Sequence, residues 1–91
     1  MQNTEQIKLP SHFTGKRDMP LVMLMEGEEG TVSGIHGGRG LRIRLAEMGF
    51  GLGMRVKMLK NHSPGPVAVE IRDSRLCMGR GVAMKIIVEA L

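Results

Sequence analysis

Hydrophobic and polar residues alternate through much of the chain, a pattern typical of half-buried β-strands. The clearest case is 67–72, where Val67, Val69 and Ile71 are predicted to face inward. Similar but weaker alternations occur at 31–37, 55–60, 75–79 and 86–90. Gly34 interrupts the first of these and predicts a β-bulge there. A short apolar run at 21–24 precedes them.

The hydrophobic period changes over about 41–48, which predicts one short α-helix. Leu41, Leu45 and Met48 lie at positions i, i+4 and i+7, so they share one helix face. We expect Leu45 and Met48 on that face to be buried. The preceding "GGRG" (37–40) is predicted to be a loop because of its glycines.

Two glycines punctuate the segment after this helix. Gly49 directly follows it and is expected to end it in a left-handed conformation, with Phe50 folding back over the last turn. Gly53 is expected to allow the turn into the strand at 55–60. We therefore interpret Gly49 and Gly53 as structural turn glycines and not as part of a phosphate-binding loop.

Together these elements predict a mostly β fold in one small domain. A hairpin turn is predicted at 73–74 and a single helical turn at 80–85. Five to six short antiparallel strands with one inserted helix favour a strongly bent β-barrel, in which closure would remove free strand edges. The polar stretch 1–19 is predicted to be a mobile tail, and 20–91 the folded domain.

Composition narrows the class of protein. Cys77 is the single cysteine, so no intrachain disulfide can form. The first residues lack the apolar stretch of a secretory signal, and no apolar run approaches the ~20 residues needed to cross a bilayer. We therefore expect a cytoplasmic protein without direct membrane insertion. Nine methionines and only two aromatic residues imply a soft, aliphatic core.

Positive charge is concentrated at 39–60. That segment holds six basic residues and one acidic residue, in a chain of formal charge +4. Such an excess favours a partner with an acidic face, and we take Arg42, Arg44, Arg55 and Lys57 as candidate partner-binding residues. Nucleic acid is not expected to be that partner, because the chain has no Tyr or Trp to stack on bases.

No residue pattern indicates an enzyme. The chain has no paired-carboxylate motif, no C-x-x-C and no H-x-x-x-H, so we predict no catalytic residues. His36, His62 and Cys77 are chemically suitable ligands for zinc or iron, although their spacing matches no closed site. They are weak metal candidates, for an adventitious or regulatory divalent ion and not for a required cofactor.

The residues also resemble a known family. "RLAEMGFGLGMRV" (44–56) and "GPVAVEI" (65–71), together with the glycines at 37 and 38, are similar to the FeoA domain of ferrous-iron transport proteins. The resemblance covers about 20–91. It implies an SH3-like β-barrel, similar also to the C-terminal barrel of metal-dependent repressors. It implies no catalytic residues.

Two functional hypotheses follow from these observations and the resemblance. The first is a small accessory protein that binds and modulates the membrane ferrous-iron permease, which carries a cytoplasmic GTP-binding domain. The second is a metal-responsive regulatory domain that binds a transition metal directly. Homo-oligomerisation is left open.

Overall fold

The computed structural model describes residues 18–91, which form a six-stranded antiparallel sheet with two helices. The predicted mobile tail falls mostly on residues 1–17, which lie outside the described residues. The strands are β1 Asp18–Pro20, β2 Glu29–Ile35, β3 Arg55–Asn61, β4 Val67–Ile71, β5 Ser74–Met78 and β6 Ile86–Ala90. The helices are α1 Arg39–Glu47 and α2 Arg80–Ala83, and a 3₁₀ turn spans Leu21–Met23.

The strands pair in the order β1-β6-β2-β3-β4-β5, and every pair is antiparallel. The fold class predicted from the sequence is therefore confirmed: a small SH3-like fold of six short antiparallel strands. Within 18–91, however, β1 and β5 pair with no further strand, so the sheet stays open at both ends. The predicted bulge also exists, because the β2–β6 register shifts between Val32 and Gly34.

The sheet bends around an aliphatic core. Among the described residues every buried side chain other than glycine is apolar, and Phe50 is the largest of them. Val67, Val69 and Ile71 of β4 are buried as the alternation predicts. Because β2, β4 and β6 all contribute to one hydrophobic cluster, the strands hold each other in place through that cluster as well as through hydrogen bonds.

Helix α1 begins two residues before the predicted start. The glycine-rich 37–40 is not entirely a loop: Gly38 caps the helix in an extended conformation, and its carbonyl accepts a 3.2 Å hydrogen bond from Arg42 N. The first-turn amides need no intrahelical partner, so glycine costs less there than at the centre. Met48, predicted to be buried, is 40% exposed. It is the C-cap residue, and Phe50 takes the inward position instead.

A Schellman motif ends α1. Gly49 has φ +99°, its N–H donates to Ala46 O at 3.0 Å, and Phe50 N donates to Leu45 O at 2.8 Å. Gly53 has φ +86° and donates to Val32 O at 2.8 Å. The segment from the helix end to β3 is thus hydrogen-bonded back onto β2.

Two boundaries differ from those in the sequence analysis. The β4–β5 turn is Arg72–Asp73, and Ser74 already pairs with Ile71. Arg72 adopts φ 58°, a conformation uncommon outside glycine, asparagine and aspartate, so its identity did not reveal the turn. In addition, Asp18 and Met19, assigned to the tail by sequence, lie in β1 and pair with β6.

A polar network joins the 3₁₀ turn to the rest of the domain. Asn61 Nδ2 donates to Val22 O at 2.9 Å and to Leu24 O at 2.8 Å. Arg80 Nη2 donates to Asn61 Oδ1 at 2.8 Å, and its Nη1 donates to Gly65 O at 3.1 Å. Asn61 therefore fixes the chain just before β2, and Arg80 ties α2 to the β3–β4 turn.

We expect Gly49→Ala to lower the free energy of unfolding by about 1–2 kcal/mol, because a Cβ at positive φ is strained. Gly40→Ala is the matched control. A Cβ at either position has nothing within 4 Å, but only Gly49 has positive φ. Gly40 lies in the first turn of α1 with negative φ, so its replacement should leave stability unchanged or raise it by at most about 0.5 kcal/mol. Urea unfolding of both variants measures the difference, and equal stabilities would contradict it.

Candidate partner-binding surface

Helix α1 lies mostly on the surface. Leu45 is its one fully buried side chain, and Leu41 is half-buried. The other side chains are exposed, among them three arginines and Ile43, which is 48% exposed. Glu47 is the single acidic residue of the helix. An exposed helix with a net positive charge and an exposed isoleucine is suited to contact another molecule.

A groove of about 570 Å³ lies on one side of α1, and we call it the β2 groove. Its walls are the β2 end and following residues (33–37), Arg42 and Ala46 of α1, and the loop 50–52. Arg42 Nη2 lies 3.4 Å from Ile35 O across the groove. Leu52 stands at its rim and is 69% exposed. The groove is therefore lined by both apolar and polar groups, and Arg42 is its one arginine.

A second groove of about 220 Å³ lies on the opposite side of α1, and we call it the α2 groove. It is lined by Leu41, Arg44 and Met48 from the helix region, and by Cys77 and Val82 from β5 and α2. Arg42 and Arg44 thus belong to different grooves, although they are two residues apart.

The two candidate residues on β3 lie on the outer face of the sheet among acidic residues. Arg55 Nε is 3.3 Å from Glu29 Oε1. Lys57 is paired in register with Glu29 on β2 and with Glu70 on β4, and Glu70 is in turn opposite Arg75 on β5. Charge therefore alternates across four strands in the row Glu29, Lys57, Glu70, Arg75. On this face, the positive charges of Arg55 and Lys57 are therefore largely balanced by Glu29 and Glu70 on the neighbouring strands.

The structure does not bring the three metal candidates together. His62 Nε2 lies 3.2 Å from Glu26 Oε2, which also accepts a hydrogen bond from Asn61 N. His36 lines the β2 groove and Cys77 the α2 groove. Within 18–91 no three His, Cys, Asp or Glu side chains form a group that could hold a metal ion.

Sequence reasoning did not single out Arg39, Ile43 or Leu52 as surface features. Ile43 lies between Arg42 and Arg44, where its exposure follows from the helical period once Leu41 and Leu45 are placed inward. Leu52 lies in the segment between the helix and the strand at 55–60, for which only the glycines were interpreted. Its neighbours Gly51 and Gly53 could have signalled an exposed loop tip.

None of the helices in 18–91 has the length and apolar character required to cross a bilayer.

Comparison with known proteins identifies similar chains. The model of the FeoA domain matches residues 19–90. A Methanocaldococcus jannaschii protein named for Fe(2+) transport, as protein A, is 43% identical over 70 residues, which is 77% of this chain and 84% of that protein.

Solved structures agree with this match. The crystal structure of an iron uptake regulatory protein (FeoA) superposes with a TM-score of 0.79 at 31% identity, covering 82% of this chain and all of the other. A manganese-dependent transcriptional repressor shares the fold, with a TM-score of 0.76 at 24% identity over 84% of this chain and 43% of the repressor.

We expect Lys57→Glu to destabilise the protein by roughly 1–2 kcal/mol at low salt, because it turns two opposite-charge cross-strand pairs into like-charge pairs. Lys60→Glu is the matched control, since Lys60 also lies on β3 but is opposite Ala68. Thermal melts at low and high salt measure the stability of both variants. A Lys57 variant as stable as the Lys60 variant would contradict the charge row.

Proposed function

Since the chain belongs to the FeoA family, we propose that it is a non-enzymatic accessory protein of ferrous iron transport. It acts in the cytoplasm by binding the cytoplasmic GTP-binding part of the membrane iron permease and modulating it. The observation that carries this proposal is helix α1, whose arginines and exposed apolar side chains stand outside the core with a groove on each side.

The charge arrangement supports α1 as the docking element. Arg42 and Arg44 lie on a helix with one acidic residue, whereas Arg55 and Lys57 lie beside Glu29 and Glu70. A basic residue already paired with a carboxylate gains less from an acidic partner. Arg42 and Arg44 therefore contribute most of the binding, and Arg55 and Lys57 contribute mainly to long-range attraction.

A direct metal-sensing function has less support. It would need His36, His62 and Cys77, or other described ligands, to meet at one place, and they lie at three. The likeness to the manganese-dependent repressor concerns the fold alone. We therefore propose no metal site built from His36, His62 and Cys77.

The proposal predicts that the chain co-purifies with the permease. We expect Arg42→Glu/Arg44→Glu to weaken binding to the permease's cytoplasmic domain by more than about tenfold at low salt, because two attractive charge pairs become repulsive. Arg55→Glu/Lys57→Glu, with the same charge change, should weaken it by less than about threefold once its folding is verified. Biolayer interferometry with and without guanine nucleotide measures both.

Each result has a defined meaning. Absence of binding by the unaltered chain, in either nucleotide state, would overturn the accessory function. Binding with equal sensitivity in the two double variants would leave the function standing but reject α1 as the docking element. Circular-dichroism melts of each variant separate loss of contact from loss of fold.

A further inference from the structure

Strand β2 has a neighbouring strand on each side, but β6 pairs with a longer part of it than β3 does. It pairs with β6 from Gly30 to Ile35, but with β3 only from Glu29 to Thr31. Val32 then exchanges hydrogen bonds with the loop, donating to Met54 O and accepting from Gly53 N, each at 2.8 Å. Beyond Val32, within 18–91, the α1 side of β2 has no strand partner. This open edge forms one wall of the β2 groove.

The other surfaces of the β2 groove leave room for a backbone. Gly34, Gly37, Ala46 and Gly51 among its lining residues carry almost no side chain, so a second chain can approach closely. Phe50 lines the groove but is buried in the core at 1% exposure, so the accessible apolar side chain of the groove is Leu52. The volume of about 570 Å³ lies in the usual range for a binding site.

The polar groups that line the groove favour a negatively charged ligand. Its lining includes Arg42 and His36 but no aspartate or glutamate. Asp18, which is not a lining residue, accepts a hydrogen bond from Ser33 Oγ at 3.2 Å. The Arg42 contact to Ile35 O, at 3.4 Å, is longer than an ordinary hydrogen bond. A guanidinium has five donors, so Arg42 retains capacity for a carboxylate.

We propose that the β2 groove binds an extended, acidic segment of a partner protein, which adds to the sheet as a strand along 33–35 and places a carboxylate on Arg42. Main-chain hydrogen bonds to the open edge provide affinity, and side chains of the segment contact the exposed Leu52. This deepens the proposed function, since it states which chemistry on the partner α1 recognises, and it is tested without the permease.

The test is an NMR titration of the ¹⁵N-labelled chain with three synthetic libraries of short extended peptides. The first has a fixed central glutamate between degenerate β-branched residues, the second has lysine instead, and the third is the first N-methylated at alternate amides. We expect the first library to shift the amides of 33–37 and the Arg42 side chain. The lysine and N-methylated libraries should leave these signals unchanged, because they lack the carboxylate or the strand donors.

Two arginine variants test the contact. Arg42→Ala should weaken binding of the glutamate library by about tenfold, the loss expected for a charge-assisted hydrogen bond. Arg44→Ala removes the same charge from the same helix but from the α2 groove, and should change affinity by less than about twofold. Ala46→Phe, at an exposed helix position in the groove wall, should block binding while the melting temperature stays near that of the unaltered chain.

Several outcomes would overturn the inference. They are no shift at 33–37 with the glutamate library, equal binding of the N-methylated library, and unchanged affinity in Arg42→Ala. If the permease binds but the library does not, the groove assignment fails and the accessory function stands. If the library binds but the permease does not, the accessory function fails and the groove remains a peptide site.

Discussion

The unequal pairing of β2 with its two neighbours determines the rest of this structure. One edge of β2 follows β6 to Ile35, while the other leaves β3 at Thr31. The chain between β2 and β3 must therefore travel away from the sheet and return to Val32, where Gly53 and Met54 bond. Helix α1 lies in this connection between β2 and β3. Its position, and the grooves beside it, follow from where the β2–β3 ladder stops.

This arrangement explains which parts of the fold could be predicted from sequence. β4 and β6 have regular alternation, and their bounds were predicted to within one residue. The end of α1 was predictable because Gly49 and Phe50 meet the local requirements of a Schellman motif. Strand β1 was not, because three residues ending in a proline show no period. β1 pairs with β6, the last strand in the sequence. The hydrophobic pattern within one segment gives no information about so distant a partner.

The candidate site was less predictable than the fold for the same reason. Counting charge along 39–60 treated Arg42 and Lys57 as members of one basic surface. Register places Lys57 between Glu29 and Glu70, which are distant in sequence. Arg42 and Arg44 of α1 were candidates from the sequence, but they line different grooves. The charge of each residue is evident from the sequence, whereas its spatial neighbours are set by strand pairing.

The shallow attachment of α1 has a consequence for how this protein can diverge. Leu45 alone is fully buried in the helix, and the motif that ends it uses backbone atoms and Gly49. Most other helix positions can therefore change without disturbing the aliphatic core. Related chains could then alter which molecule they recognise while keeping the same stable sheet. The exposed positions of the helix and the aliphatic core of the sheet are thus largely independent of each other.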